Sequence, residues 1–167
     1  KNTYDAEKAA YELALSGYKP LVIERGLDVD SRKKSVEHFW KTGELDTESN
    51  VSFGEGGAGT FSDGKLNTLV KDKFGRNNFV LKEFVKHGAP EEILYEAKPH
   101  IGTDILKDVV ASIRKEIESL GGEVHFRTKV CDILCEKIIG SVAERERAEA
   151  EKNLLMQDKQ LTGLILE

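Results

Sequence analysis

Five glycines fall between Gly54 and Gly64, in the stretch Phe53-Gly-Glu-Gly-Gly-Ala-Gly-Thr-Phe-Ser-Asp-Gly-Lys-Leu-Asn-Thr68. Glycine weakens helix and strand interiors alike, so this density fixes a loop and obliges the regular elements to lie on either side of it. Glycine also lets a backbone approach a ligand closely, and consecutive amide N–H groups in such a loop can form an anion-binding nest. The hydroxyls of Thr60 and Ser62 and the ammonium of Lys65 would add donors around a phosphate. The competing reading is a mobile surface loop. Two flanking aromatics, Phe53 and Phe61, weigh against it, because they can anchor the loop to a core.

Upstream of the loop the pattern alternates helix and strand. Asp5–Leu15 predicts a helix with a stripe of Ala9, Ala10, Leu13 and Ala14, capped at its start by Asp5 and closed by Gly17. Pro20-Leu-Val-Ile-Glu24 predicts a buried parallel strand that ends in an acid. A helix, a glycine turn and a strand ending in Glu form the second half of a Rossmann βαβ unit, in which that acid accepts hydrogen bonds from a ribose hydroxyl. Glu24 suits that role, and an exposed strand end is the alternative. Residues 1–8 contain no glycine, so the G-x-G-x-x-G that holds a pyrophosphate is absent there. Asp28–Lys41 predicts a second helix, capped by Asp30 or Ser31, with Val36, Phe39 and Trp40 apolar and Arg32, Lys33 and Lys34 on a solvated face, a phosphate contact being the alternative for these three.

Downstream, Asn77–His87 predicts a helix with Phe79, Val80, Phe84 and Val85 inward, and Pro90 opens a shorter one through Ala97. Thr103 is placed to cap the strongest helix, Asp104–Leu120, whose Leu106, Val109, Val110, Ile113 and Ile117 share one face. Gly121-Gly122 stops it, and 123–128 and 129–136 predict strands. Cys131 and Cys135 share one face of the second, about 13 Å apart, too far for a disulfide, and predict two buried thiols. No further ligands at zinc spacing accompany them. Ser141–Lys152 is a charged run that predicts an exposed helix without a nucleotide contact, and Leu161–Leu166 a returning strand. The expected central sheet uses Leu21–Ile23, Val124–Arg127 and Leu161–Leu166, all within a single 167-residue domain.

The formal net charge of -5 gives no general argument for nucleic-acid binding. No apolar run approaches a membrane span and no secretory leader is visible, so with free thiols the expected setting is cytoplasmic, with no membrane partner.

Two blocks carry a family resemblance. Leu21-Val-Ile-Glu-Arg-Gly26, together with Ser49-Asn-Val-Ser-Phe-Gly-Glu-Gly-Gly-Ala-Gly-Thr-Phe-Ser-Asp-Gly-Lys-Leu66, resembles bacterial FAD-dependent dehydrogenases of the NAD(P)/FAD-dependent oxidoreductase superfamily. Lys98-Pro-His-Ile-Gly-Thr-Asp104, with Gly121-Gly-Glu-Val-His-Phe126 after it, is similar to the next block of these proteins. The resemblance covers residues 9 to 134. It implies an α/β fold: a partial Rossmann-like, glutathione-reductase-type FAD-binding domain, incomplete relative to the family and carrying a charged helical insertion. It implies FAD as the dinucleotide cofactor and cofactor-binding positions at Glu24, Arg25, Gly54, Gly56, Gly57, Gly59, Thr60, Ser62 and Lys65, with the strand at 124–130 near the adenine. No catalytic side chain is assigned by it; His100 is the nearest polar candidate, with a turn-stabilising role as the alternative. The expected function is an FAD-dependent oxidoreductase or a fragment of one, this chain alone binding FAD weakly or not at all. The alternatives are a non-catalytic α/β remnant that acts as an interaction module, and a nucleotide-binding module without redox chemistry.

Overall fold

The computed structural model describes residues 3–62, 64–66, 72–137 and 159–166. They fall into two compact units, Lys1–Thr128 and Lys129–Glu167.

The first unit is mixed α/β. Its elements are α1 (Thr3–Leu15), β1 (Leu21–Ile23), α2 (Val29–Thr42), a 3-10 turn at Gly57–Phe61, α3 (Arg76–Lys86), a second 3-10 turn at Glu91–Leu94, α4 (Thr103–Ser119) and β2 (Glu123–His125). β1 pairs with β2 in parallel, Val22 opposite Val124. The expected buried parallel strand is therefore present, although Leu21 at its start is exposed.

α4 is the centre of the core. Leu106, Val109, Val110, Ile113 and Ile117 are all buried, as their spacing predicts. Each contributes about 1.5–3 kcal/mol relative to exposure. Against this face pack Ala10 and Tyr11 of α1, Val22 of β1, Phe84 of α3, Ile93 and Ile101. Within α3, Phe84 is the buried residue and Val80 and Val85 are partly buried, whereas Phe79 lies at the exposed margin under Lys8 Nζ.

Several local expectations are corrected. The buried stripe of α1 is Glu7, Ala10, Tyr11 and Ala14, rotated from the predicted one, and Leu13 and Ala9 face outward. A stripe of small residues fixes the helical period but not which side carries the large contacts, and Tyr11 decides that here. α2 is capped by Asp28, whose carboxylate accepts from Asp30 N and Ser31 N. Gly102, not Thr103, is the N-cap of α4, and no side chain caps it. Trp40 is exposed; Lys33 and Lys34 are exposed as expected, but Arg32 is fully buried.

The second unit is an antiparallel pair, β3 (Val130–Lys137) with β4 (Lys159–Leu166), with register shifts at Cys131 and between Leu134 and Cys135. The returning strand thus pairs with β3 and not with a central sheet of β1 and β2. Among its described side chains Val130, Ile133, Leu134, Leu164, Ile165 and Leu166 are exposed, and so is the thiol of Cys131, which was expected to be buried. A two-stranded ribbon has no second layer of its own to bury either face. The predicted charged helix at 141–152 lies outside the described residues, as does the side chain of Cys135.

Candidate functional site

The glycine loop and the end of β1, some 30 residues apart in sequence, come together in the fold. The turn after β1 runs Glu24-Arg-Gly-Leu27. A side-chain carbon on Gly26 would lie 2.5 Å from Gly54 Cα, so only glycine allows the two backbones to meet. Glu55 N donates to Leu27 O at 3.0 Å and closes the contact. β2 and the residues just after it hold the other side of the turn: Glu24 N donates to His125 O, Thr128 N to Glu24 O, and Arg127 N to Gly26 O.

Glu24 is buried at the carboxyl end of β1, where its Oε1 accepts from Gly26 N at 2.7 Å. The exposed-strand-end alternative is excluded. Arg25 faces outward and forms a forked ion pair with Glu48, one limb Nη2 to Oε1 at 2.6 Å and the other Nε to Oε2.

Arg32 organises the loop from within. Its side chain donates to Asn50 O at 2.8 Å, Val51 O at 2.9 Å, Glu55 O at 2.6 Å and Thr60 Oγ1 at 2.7 Å, and its guanidinium lies 4.7 Å from the Phe61 ring centre. Burial pushes this guanidinium down to about 10, against the pull of Glu24 and Glu55. It remains a cation at neutral pH. Lys107 covers the same Phe61 ring. Phe61 anchors the loop, as expected from sequence; Phe53 is exposed and does not.

Glu55 is equally built in. Its Oε2 accepts from Val29 N at 2.6 Å, at the first turn of α2, and its Oε1 from Arg114 Nε at 2.7 Å. Burial pushes its carboxyl up, opposed by Val29 N and Arg114. Glu55 thereby ties the glycine loop to the N-terminus of α2, where negative charge is favoured, and to α4.

The remaining candidates divide. Gly54, Gly56 and Gly57 are buried and each has positive φ; Gly59 is partly buried against Leu106. Thr60 is buried, its hydroxyl donating to Gly57 O while accepting from Arg32. Ser62 is exposed, and its hydroxyl donates back to Gly59 O. Lys65 is exposed, in a bridge with His100, where Ile101 N donates to Gly64 O and Leu66 N to Pro99 O. The block at 98–104 therefore meets the glycine loop through backbone pairing, and the His100 side chain is exposed.

Several of the donors expected to face a phosphate are engaged within the loop. The Thr60 and Ser62 hydroxyls are turned to loop carbonyls, Arg32 is spent on carbonyls and Thr60, and Gly57 N and Ser62 N close turns on Gly54 O and Gly59 O. The acid at the end of β1 is the feature that suits a ribose.

Two features escaped the sequence reading. Glu7 of α1 is buried beside this region and is electrostatically coupled to Glu24 and Glu55. A polar cluster joins α1, α3 and α4: Lys86 Nζ donates to Tyr11 OH and to Glu116 Oε1 at 2.9 Å, and His87 Nδ1 meets Ser112 Oγ at 3.1 Å. The His87 and Tyr11 rings stand edge to face, their centres 5.5 Å apart. Burial pushes His87 down. Among the described residues no helix is long and apolar enough to cross a membrane, and no group of three or more His, Cys, Asp or Glu side chains could hold a metal ion.

No protein-family model matches the chain. It is similar to an uncharacterized protein of Clostridium beijerinckii, 62% identical over 122 residues, which are 73% of this chain and 22% of that protein. The chain thus spans about a fifth of the length of the curated relative it matches.

Proposed function

We propose that this chain is the scaffold portion of an FAD-dependent oxidoreductase, and that by itself it holds the dinucleotide weakly or not at all. The observation that carries the reading is Glu24: a buried acid at the carboxyl end of a parallel strand, backed by the glycine loop through the Gly26–Gly54 contact. In open α/β sheets, ligands bind at the carboxyl ends of the parallel strands. The glycine loop then serves as a rigid wall, set by Arg32 and Glu55, and not as the phosphate cradle. The same inward-turned donors favour a second reading, a non-catalytic α/β module. A cytoplasmic setting suits the exposed thiol of Cys131.

Two measurements test this. The full-length Clostridium beijerinckii relative, purified, is expected to be yellow and to release FAD on denaturation; a colourless preparation that retains no flavin after incubation with FAD and removal of the unbound cofactor would favour the non-catalytic module. FAD titrated into the present chain is expected to bind weakly, and Glu24→Ala to bind more weakly still. Tight stoichiometric binding would overturn the claim that the chain alone holds the dinucleotide weakly, and equal binding by both variants would remove Glu24 from the site.

A further inference from the structure

Glu7 lies in the second turn of α1 and is 1% exposed. Neither of its carboxylate oxygens has a hydrogen-bond partner among the described residues. It differs in this from Glu24 and Glu55, which are buried and hold backbone amides. An ionised carboxylate buried without a partner costs several kcal/mol, and such groups take up a proton instead.

The surroundings agree. Glu55 from the glycine loop and Glu24 from the end of β1 raise the cost of a charge at Glu7, and Arg114 of α4 is the cation that opposes them. On the other side is a small cavity between α1, α3 and α4, with room for about one water. It is lined by Glu7, Lys8 and Tyr11 of α1, Glu83 and Phe84 of α3 and Ile113 of α4. Glu83 Oε2 is also buried there without a hydrogen-bond partner among the described residues. Lys8 lies over the Phe79 ring, with Nζ 4.4 Å from its centre. Three carboxylates, Glu7, Glu24 and Glu55, thus share a region served by Arg32 and Arg114, and the third negative charge has no bonded counterpart.

We propose that Glu7 is a proton-loaded residue in the folded chain, and that its deprotonation loosens α1 from the core, making the docking of this helix a pH-sensitive switch. This does not rest on the flavin reading. Burial, first, and then the two neighbouring carboxylates push Glu7 well above the ordinary glutamate range. The sign follows: a carboxyl that holds its proton more tightly when folded costs nothing below the unfolded midpoint, near pH 4.3. As pH rises from there to the raised folded midpoint, the folded-to-unfolded ratio falls, by up to about tenfold per pH unit for one proton.

The test uses the whole chain. Carboxyl-carbon NMR is expected to show Glu7 titrating above the ordinary glutamate range, and hydrogen exchange of the α1 amides to quicken as pH passes that midpoint, after correction for the intrinsic pH dependence of exchange. Glu7→Gln keeps the shape and removes the titration; it is expected to match wild type at pH 4, to be more stable at pH 8, and to lose the pH dependence of α1 exchange. A Glu7 midpoint in the ordinary range would overturn the proposal without needing any variant. So would a Glu7→Gln chain whose stability differs from wild type by the same amount at every pH, which is the result expected of a purely steric role.

Discussion

Replacing Arg32 tests whether the glycine loop is held from inside. Its side chain makes four hydrogen bonds of 2.6–2.9 Å to three carbonyls and one hydroxyl, and it is fully buried. Charge-assisted bonds contribute about 1.5–3 kcal/mol each, so a plain sum reaches about 6–12 kcal/mol. That sum exceeds what a loop can transmit, because in the variant water enters and the loop carbonyls rehydrate. Breaking one side of a buried charged network costs about 3–5 kcal/mol, and this is the expected loss for Arg32→Ala. It is a large part of the ~5–15 kcal/mol that stabilises a domain. Arg32→Lys retains the charge but cannot span carbonyls from Asn50 to Glu55 with one ammonium, so it is expected to recover less than half of the loss. Urea denaturation measures both, and hydrogen exchange over residues 49–61 should quicken in the variants even where the protein stays folded. A loss below about 1 kcal/mol for Arg32→Ala, with exchange unchanged, would refute the view that Arg32 sets the loop.

Two further outcomes follow from the geometry. Gly64 has φ 69°, and a Cβ there would overlap the Ile101 carbonyl oxygen, whereas Gly17 has φ 83° and open space around it; Gly17→Ala is expected to cost about 1–2 kcal/mol and Gly64→Ala about 3 kcal/mol or more in the same denaturation assay. His87 is pushed down by burial, so the folded chain prefers it neutral; the stability it supports is complete above its unfolded midpoint near pH 6.5 and is lost as pH falls below that. Denaturation midpoints at pH 7.5 and 5.5 should therefore differ more for wild type than for His87→Gln.

The sequence by itself determined those elements whose signals are local and periodic. The face of α4 from Leu106 to Ile117 was legible because a 3.6-residue repeat of large apolar side chains admits one orientation. The short strand at Leu21–Ile23 was legible as an apolar run between a glycine turn and an acid. Tertiary structure alone decided the rest. Arg32 reads as one of three consecutive cations, and only the approach of the glycine loop, 18 to 28 residues later, supplies the oxygen acceptors that make its burial favourable. Glu7 reads as one acid on a small-residue helix, and only the arrival of Glu24 and Glu55 puts it among like charges. The Leu161–Leu166 strand was visible as a strand, but its partner was not, because an apolar run carries no address for the strand it joins; β3 is what it pairs with. The inward turn of Thr60 had no sequence signal, since a hydroxyl in a glycine loop serves a bound phosphate or the loop's own carbonyls with the same chemistry, and the difference is the position of Arg32 and the Gly57 carbonyl.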